Sequence, residues 1–364
     1  MVGQGKFGNK EAISALVIAC MAKEFFTDPN MIVRKVGTAG WYMVLVSAAV
    51  AALGFTAVYF LLKRFPGKNI MEIYDDVFGR YIGFGFSFTV AFVLLFSAAM
   101  NLREYVEIIK IYVFPKTPPV YLIGSLAVTA VILSFIGLEN ITRYSKLAGY
   151  VMLVGFIILL MLSSRFFRFY RIYPLLGYGL KNTLVQGFLR SSIYGEITLV
   201  AIFAKSLHGI QDIRKVGYTS LIIAASLMLL MQLGLTLIFT YPFSKELTAP
   251  LYAGASLIHY GVFFQRVESL FLFIWNISTL ISIPLLFYMV LLIYSYLFKI
   301  DDIRPITVPF SFIMIALSLI PSNIVELVQF YIRYLREFGW VVFYVLPSIA
   351  LLMTALTKKK GWQA

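Results

Sequence analysis

Long apolar runs separated by short polar clusters dominate the chain from about residue 11 to residue 356, and none shows the strict alternation of a half-buried strand. Runs of about 20 apolar residues cross a hydrocarbon core as helices, whereas barrel strands are shorter and alternate. The pattern predicts an all-α polytopic membrane protein with ten transmembrane helices. They cover approximately 11–36, 40–62, 81–114, 120–138, 144–163, 183–204, 217–241, 267–299, 306–319 and 340–356. The third is too long for one crossing unless it tilts or projects beyond the bilayer. Residues 69–79 read as interfacial. The stretch 165–181 is basic and aromatic without a span of its own, and 242–265 is too polar to span and reads as short surface helices.

Two of these helices are flawed at the midpoint. In the first, Ala22-Lys23-Glu24-Phe25-Phe26-Thr27-Asp28-Pro29 interrupts the apolar run. A charge at the centre of a membrane helix costs about 2.5–3.5 kcal/mol on insertion scales, so it is normally paired or lines a wet cavity. Pro29 adds a missing N–H and a ring that clashes with a preceding turn. In the sixth, Arg190-Ser191-Ser192-Ile193-Tyr194-Gly195-Glu196 gathers two serines, a glycine and a carboxylate. Glycine weakens a helix, and serine offers the backbone competing hydrogen bonds. Ten spans divide into five and five, and units with an odd number of spans have opposite topology. Each flawed helix opens its unit, so the expectation is an inverted repeat, approximately 11–163 and 183–356, with helices 1 and 6 broken, in one transmembrane domain.

Composition agrees with the pattern. Of 364 residues, 60% are hydrophobic and 13% charged, with mean hydropathy +0.87; a soluble domain of this size could not cover its surface with so few polar groups. The net charge of +14 suits anionic lipid headgroups. Nucleic acid is a poor partner, because the basic residues are scattered over loops. The single cysteine, Cys20, excludes an internal disulfide, and His208 and His259 make no metal-ligand spacing. No cofactor or metal is expected. The lysine and arginine bias of the loops, with Lys63, Arg64, Lys68, Arg143, Lys146, Lys205 and Lys358-Lys359-Lys360 on one side, places both termini in the cytoplasm.

The candidate ligand-binding residues are those of the two flaws: Lys23, Glu24, Phe25, Phe26, Thr27, Ser191, Ser192, Tyr194, Gly195 and Glu196. Lys23 either supplies a fixed positive charge where other transporters hold a sodium ion, or receives a ligand carboxylate, or locks the break in an internal salt bridge. Glu196 is a proton carrier, a receiver of a ligand ammonium, or the partner of a cation such as Lys23. Phe25, Phe26 and Tyr194 either cap a pocket or simply pack. Free N–H groups at the ends of half-helices attract anionic groups, and free C=O groups attract cationic ones. Asn276, Ser278, Thr279 and Ser282 form a polar stripe that either glues helices or shares in an ion site. Arg103, Glu104, Glu107 and Lys110, at helical spacing late in the third span, read as an outer-surface network, a gate or a subunit contact. Glu268 with Arg266 reads the same way.

An ordered set of short motifs carries a resemblance that spans nearly the whole chain: Arg64-Phe65-Pro66-Gly67-Lys68, Pro115-Lys116-Thr117-Pro118, Gly137-Leu138-Glu139-Asn140-Ile141-Thr142-Arg143, Tyr194-Gly195-Glu196-Ile197, and Arg266-Val267-Glu268-Ser269 with Trp275. The chain resembles the B subunits of bacterial spore germinant receptors, within the amino acid–polyamine–organocation superfamily. That resemblance implies the five-plus-five fold and a nutrient-sensing role, with an amino acid as ligand between helices 1 and 6. It also implies an A subunit and a lipoprotein C subunit as partners in the spore inner membrane. Where the superfamily has a small, glycine-containing break in the first span, this chain has Lys23-Glu24-Phe25-Phe26. The alternative function is a proton-coupled amino-acid transporter. An enzyme, such as a membrane acyl or glycosyl transferase, lacks a catalytic constellation.

Overall fold

The computed structural model describes residues 5–259 and 267–357. Arg266 and the Lys358-Lys359-Lys360 run therefore lie outside the described residues. The described chain is helical throughout. Helix α1 (Asn9–Ala22) gives way to a short 3-10 turn (Lys23–Phe25) and then α2 (Asp28–Val36). Next come α3 (Gly40–Arg64), the amphipathic α4 (Ile70–Phe78), the long α5 (Arg80–Tyr112), α6 (Pro119–Ile136) and α7 (Leu138–Ser163). Helix α8 (Leu180–Leu189) tightens into a 3-10 segment (Arg190–Ala201). The remainder is α9 (Ile210–Ile238), the short α10 (Tyr241–Ser244) and α11 (Pro250–Ser256), α12 (Glu268–Phe298), α13 (Arg304–Ser318), and a last helix, α14 (Ile324–Leu356), with two π turns.

Among the described residues, seven helices are long and apolar enough to cross a membrane: Asp28–Arg64, Arg80–Tyr112, Pro119–Ile136, Leu138–Phe166, Ile210–Ile238, Glu268–Phe298 and Ile324–Leu356. The others expected to span are the two interrupted segments and the short α13. Helix α12 lies at the centre of the bundle, with 83% of its apolar window buried against 22% for α6 and α7. The outer faces of α6 and α7 expose Val128, Ile132, Val154 and Ile157, an apolar surface suited to lipid.

Several boundaries differ from expectation; α9, for one, starts at Ile210 rather than at residue 217. Helix α7 starts at Leu138 rather than at residue 144, because Gly137 adopts φ +95° and turns the chain directly into a polar first turn. Pro29 does not break a helix from within. It sits in the first turn of α2, where the absent N–H has no partner to lose. The last helix begins at Ile324, not near residue 340. Glu326, Arg333, Arg336 and Glu337 make its first half polar enough to read as a loop. Arg336 and Glu337 are nevertheless buried.

Candidate functional site

The two interruptions meet. Helix α1 packs on the Arg190–Ala201 segment, which also contacts α3 and α14. Every residue from Arg190 to Ala204 is buried, as are Lys23 to Asn30. At the junction Lys23 Nζ lies 2.5 Å from Glu196 Oε2 and 3.4 Å from the carbonyl of Ser192. Each break thus supplies one half of a buried ion pair. The ammonium follows the last turn of α1, where a positive charge is favoured by the helix dipole. The Cys20 thiol lies one helical turn below, 3.9 Å from the same carboxylate oxygen.

A second charge cluster adjoins the first. Asp28 Oδ1 accepts from Arg190 Nη2 and from Arg336 Nη1, the latter at 2.7 Å. Arg336 Nη2 also donates to Glu104 Oε2 at 3.0 Å. Glu104 Oε1 accepts from the backbone N–H of Thr27 at 3.0 Å and from its hydroxyl at 2.5 Å. Two carboxylates therefore sit where α2 begins, and negative charge is stabilised at a helix N-terminus. Arg336 bridges α14 to α2 and α5, and a planar guanidinium can serve two carboxylates at once. Hydrogen-bonding capacity is left over in the same place: Arg190 Nε and Nη1, Ser191 Oγ and both Glu24 oxygens have no partner among the described residues.

The remaining candidates fall around this junction. Phe25 packs edge-on against Phe271, and Phe26 against Tyr105 and Trp275, forming an aromatic layer between α1, α5 and α12. Tyr194 donates to the Val44 carbonyl at 3.1 Å, and Ser192 Oγ donates to the Arg336 carbonyl at 2.5 Å. Gly195 lies so close to the Phe343 ring that a Cβ there would stand 2.4 Å from it. Glycine allows that approach.

The structure corrects the outer-surface reading of the charges on α5. Glu104 is wholly buried and belongs to the junction, and Arg103 is buried and pairs with Glu107 at 2.8 Å. Four charges at helical spacing do not share one face, and Glu104 is the member that turns inward. The polar positions of α12 differ in their partners. Asn276 accepts from the Tyr105 hydroxyl on a groove shared with α6, and Thr279 bonds back to the Trp275 carbonyl at 3.1 Å. The hydroxyls of Ser278 and Ser282 are buried without a partner among the described residues. Glu268 is half-buried in the first turn of α12. The sequence pattern singles out neither Arg190 nor Arg336 as a candidate, and Asp28 only as part of the stretch that interrupts the first span. An arginine inside an apolar run was the available signal for Arg190. Arg336 lies between the ninth and tenth expected spans, among other charges.

Two interrupted helical segments packed together inside a helical membrane bundle define a transporter-type fold, and solved structures bear this out. Over 98% of this chain and 79% of theirs, the fold matches Mhp1, a nucleobase-cation-symport-1 family transporter, at TM-score 0.65 and 13% identity. It matches a Na+-coupled sialic acid symporter at TM-score 0.66 and 9% identity, over 100% of this chain and 92% of that one. The fold is the LeuT-like one. The family model described as "Spore germination protein" matches residues 8–327, so the chain belongs to the spore germination protein family. Relatives in Bacillus subtilis (strain 168) include spore germination protein KB, 22% identical over 329 residues, covering 89% of this chain and 88% of the relative. Spore germination protein A2 is 22% identical over 311 residues, covering 80% and 78%. The family agrees with the resemblance carried by the ordered motifs.

Proposed function

We propose that this chain is the membrane-embedded nutrient-sensing subunit of a spore germinant receptor, and that it binds an amino acid between its two interrupted helices. The reading takes the bundle as ten spans in two inverted units of five, counting α1 with α2, α8 with its 3-10 extension, and α13 beside the long helices. The observation that carries it is the meeting of the breaks at a buried ammonium–carboxylate pair. An amino acid carries the same two groups. Its carboxylate would find Lys23 and the unused N–H groups of Arg190, and its ammonium would find Glu196. A ligand changes the bundle only through unequal affinity for its states. Arg336, joined to α2 and α5, and Asn30, bonded to the carbonyls of Lys245 and Leu247 outside α10, are the ties that such a shift would loosen or tighten. The A subunit and the lipoprotein C subunit are the partners to which the change passes, in the spore inner membrane.

The test is a screen of amino acids against the purified protein, repeated with Lys23→Ala and Glu196→Ala, and a flux assay in proteoliposomes. Binding that both substitutions weaken, without accumulation in the vesicles, is the expected result. Accumulation driven by a proton gradient would instead assign a proton-coupled amino-acid transporter. Lys23 stands as a fixed cation, so the nutrient response is expected to proceed without sodium. A response that needs sodium, or survives Lys23→Ala unchanged, contradicts that role.

A further inference from the structure

One buried carboxyl of the junction is left out of its ion pairs. Glu24 is 0% exposed, and neither of its oxygens receives a hydrogen bond from a donor among the described residues; the same holds for Asp28 Oδ2. The two carboxyls stand four residues apart across the break, within hydrogen-bonding reach of each other. Two ionised carboxylates cannot bond, because each only accepts. Burying an uncompensated charge costs several kcal/mol. Asp28 already receives Arg190 and Arg336 on Oδ1, so it holds the negative charge.

The charge count points the same way. Lys23, Arg190 and Arg336 are the cations at the junction, against Glu24, Asp28, Glu104 and Glu196, which leaves the carboxyls in excess by one. Lys23 is committed to Glu196, and Arg336 to Asp28 and Glu104. The charged and ionisable groups near enough to act electrostatically on Glu24 from other elements include Arg190 and Tyr194 of the 3-10 segment and Arg336 of α14. Tyr194 spends its hydroxyl hydrogen on Val44.

We infer that Glu24 is a proton-binding site: the ligand-free junction holds one proton on the Glu24 carboxyl, which donates it to Asp28 Oδ2. A single hydrogen then satisfies acceptors on both residues and brings the cluster to neutrality. The competing arrangement moves the Arg190 guanidinium, whose Nε and Nη1 lack acceptors, onto an ionised Glu24. The assignment does not depend on which nutrient binds.

Infrared spectroscopy of the full-length protein in lipid nanodiscs at neutral pH separates the two. The expected result is a carbonyl stretch of an un-ionised carboxylic acid that shifts when glutamate is 13C-labelled, does not shift when aspartate is labelled, and disappears in Glu24→Gln. Glu24→Gln, an isostere of the protonated acid, is also expected to melt within a few degrees of the parent. Absence of the band, its persistence in Glu24→Gln, or its loss on adding sodium would overturn the inference. So would a large loss of thermal stability in that variant, the mark of an ionised partner of Arg190. Should Glu24→Gln fail to accumulate, the labelled parent spectrum decides alone.

Discussion

Arg336 concentrates more of the junction than any other side chain, since one guanidinium holds Asp28 on α2 and Glu104 on α5. Removing one member of a buried ion pair leaves the other charge uncompensated, at a cost of about 3–5 kcal/mol. Arg336→Ala is expected to lower the thermal midpoint in detergent by that order. Arg336→Lys should recover only part of it, because a point charge does not reproduce the fork. Full recovery by lysine would show that the bridging geometry is unimportant. Gly195→Ala is expected to cost about 1–3 kcal/mol by pressing on Phe343, and Gly195→Ala with Phe343→Leu should regain much of the loss. At this scale the sequence was legible wherever a charge interrupted an apolar run, as at Lys23, Glu24 and Glu196. It was illegible where a charge sat among other charges. Arg336 has Arg333 and Glu337 around it in the sequence, and Glu104 stands in the sequence beside Arg103 and close to Glu107. Which of several charges turns inward depends on the neighbour across the interface, here Thr27, and one-dimensional spacing does not carry that.

The elements differ in how much of their structure is written locally. Helix α4 is specified by its own residues. Asn69 accepts from the Glu72 N–H at 3.0 Å while the Glu72 carboxylate accepts from the Asn69 N–H at 3.1 Å, a reciprocal cap. Asn69→Ala is expected to destabilise that helix by about 0.5–2 kcal/mol, read as faster amide exchange confined to residues 70–78. Exchange unchanged there would mean that packing on α5 holds α4 without the cap. The interrupted helices are the opposite case. The break after Ala22 is stabilised from outside, by Glu104 on the Thr27 N–H and by Glu196 on Lys23. Its position could be read from the charges, but its partners could not. The extent of the last helix was lost for a related reason: a hydropathy pattern marks contact with lipid, and the first half of α14 buries charge against protein instead.

At the scale of the whole molecule, the arrangement is a central helix, α12, packed on the first interrupted segment, which packs in turn on the second, with outer helices whose apolar faces meet lipid. The proposed ten-span plan, oriented by the lysine and arginine bias of the loops, assigns each loop a side. Cys20 is the only cysteine and is buried, so added cysteines report cleanly. Lys116→Cys is expected to react with an impermeant maleimide from outside intact cells, and Arg143→Cys only after permeabilisation. The reverse pattern would invert the proposed orientation. Besides the junction, the molecule contains a polar vestibule of about 740 Å³ lined in part by Glu72, Asp75, Arg80, Lys205 and Tyr296, a rival place for a small polar ligand. The most direct test of the nutrient-sensing account is therefore an experimental structure of the protein with the amino acid that the binding screen selects. The account predicts ligand density between the Lys23–Phe25 turn and the Arg190–Ala201 segment, with its charged groups against Lys23, Arg190 or Glu196. Density in the vestibule, or on a partner subunit with this junction closed and unchanged, would contradict it.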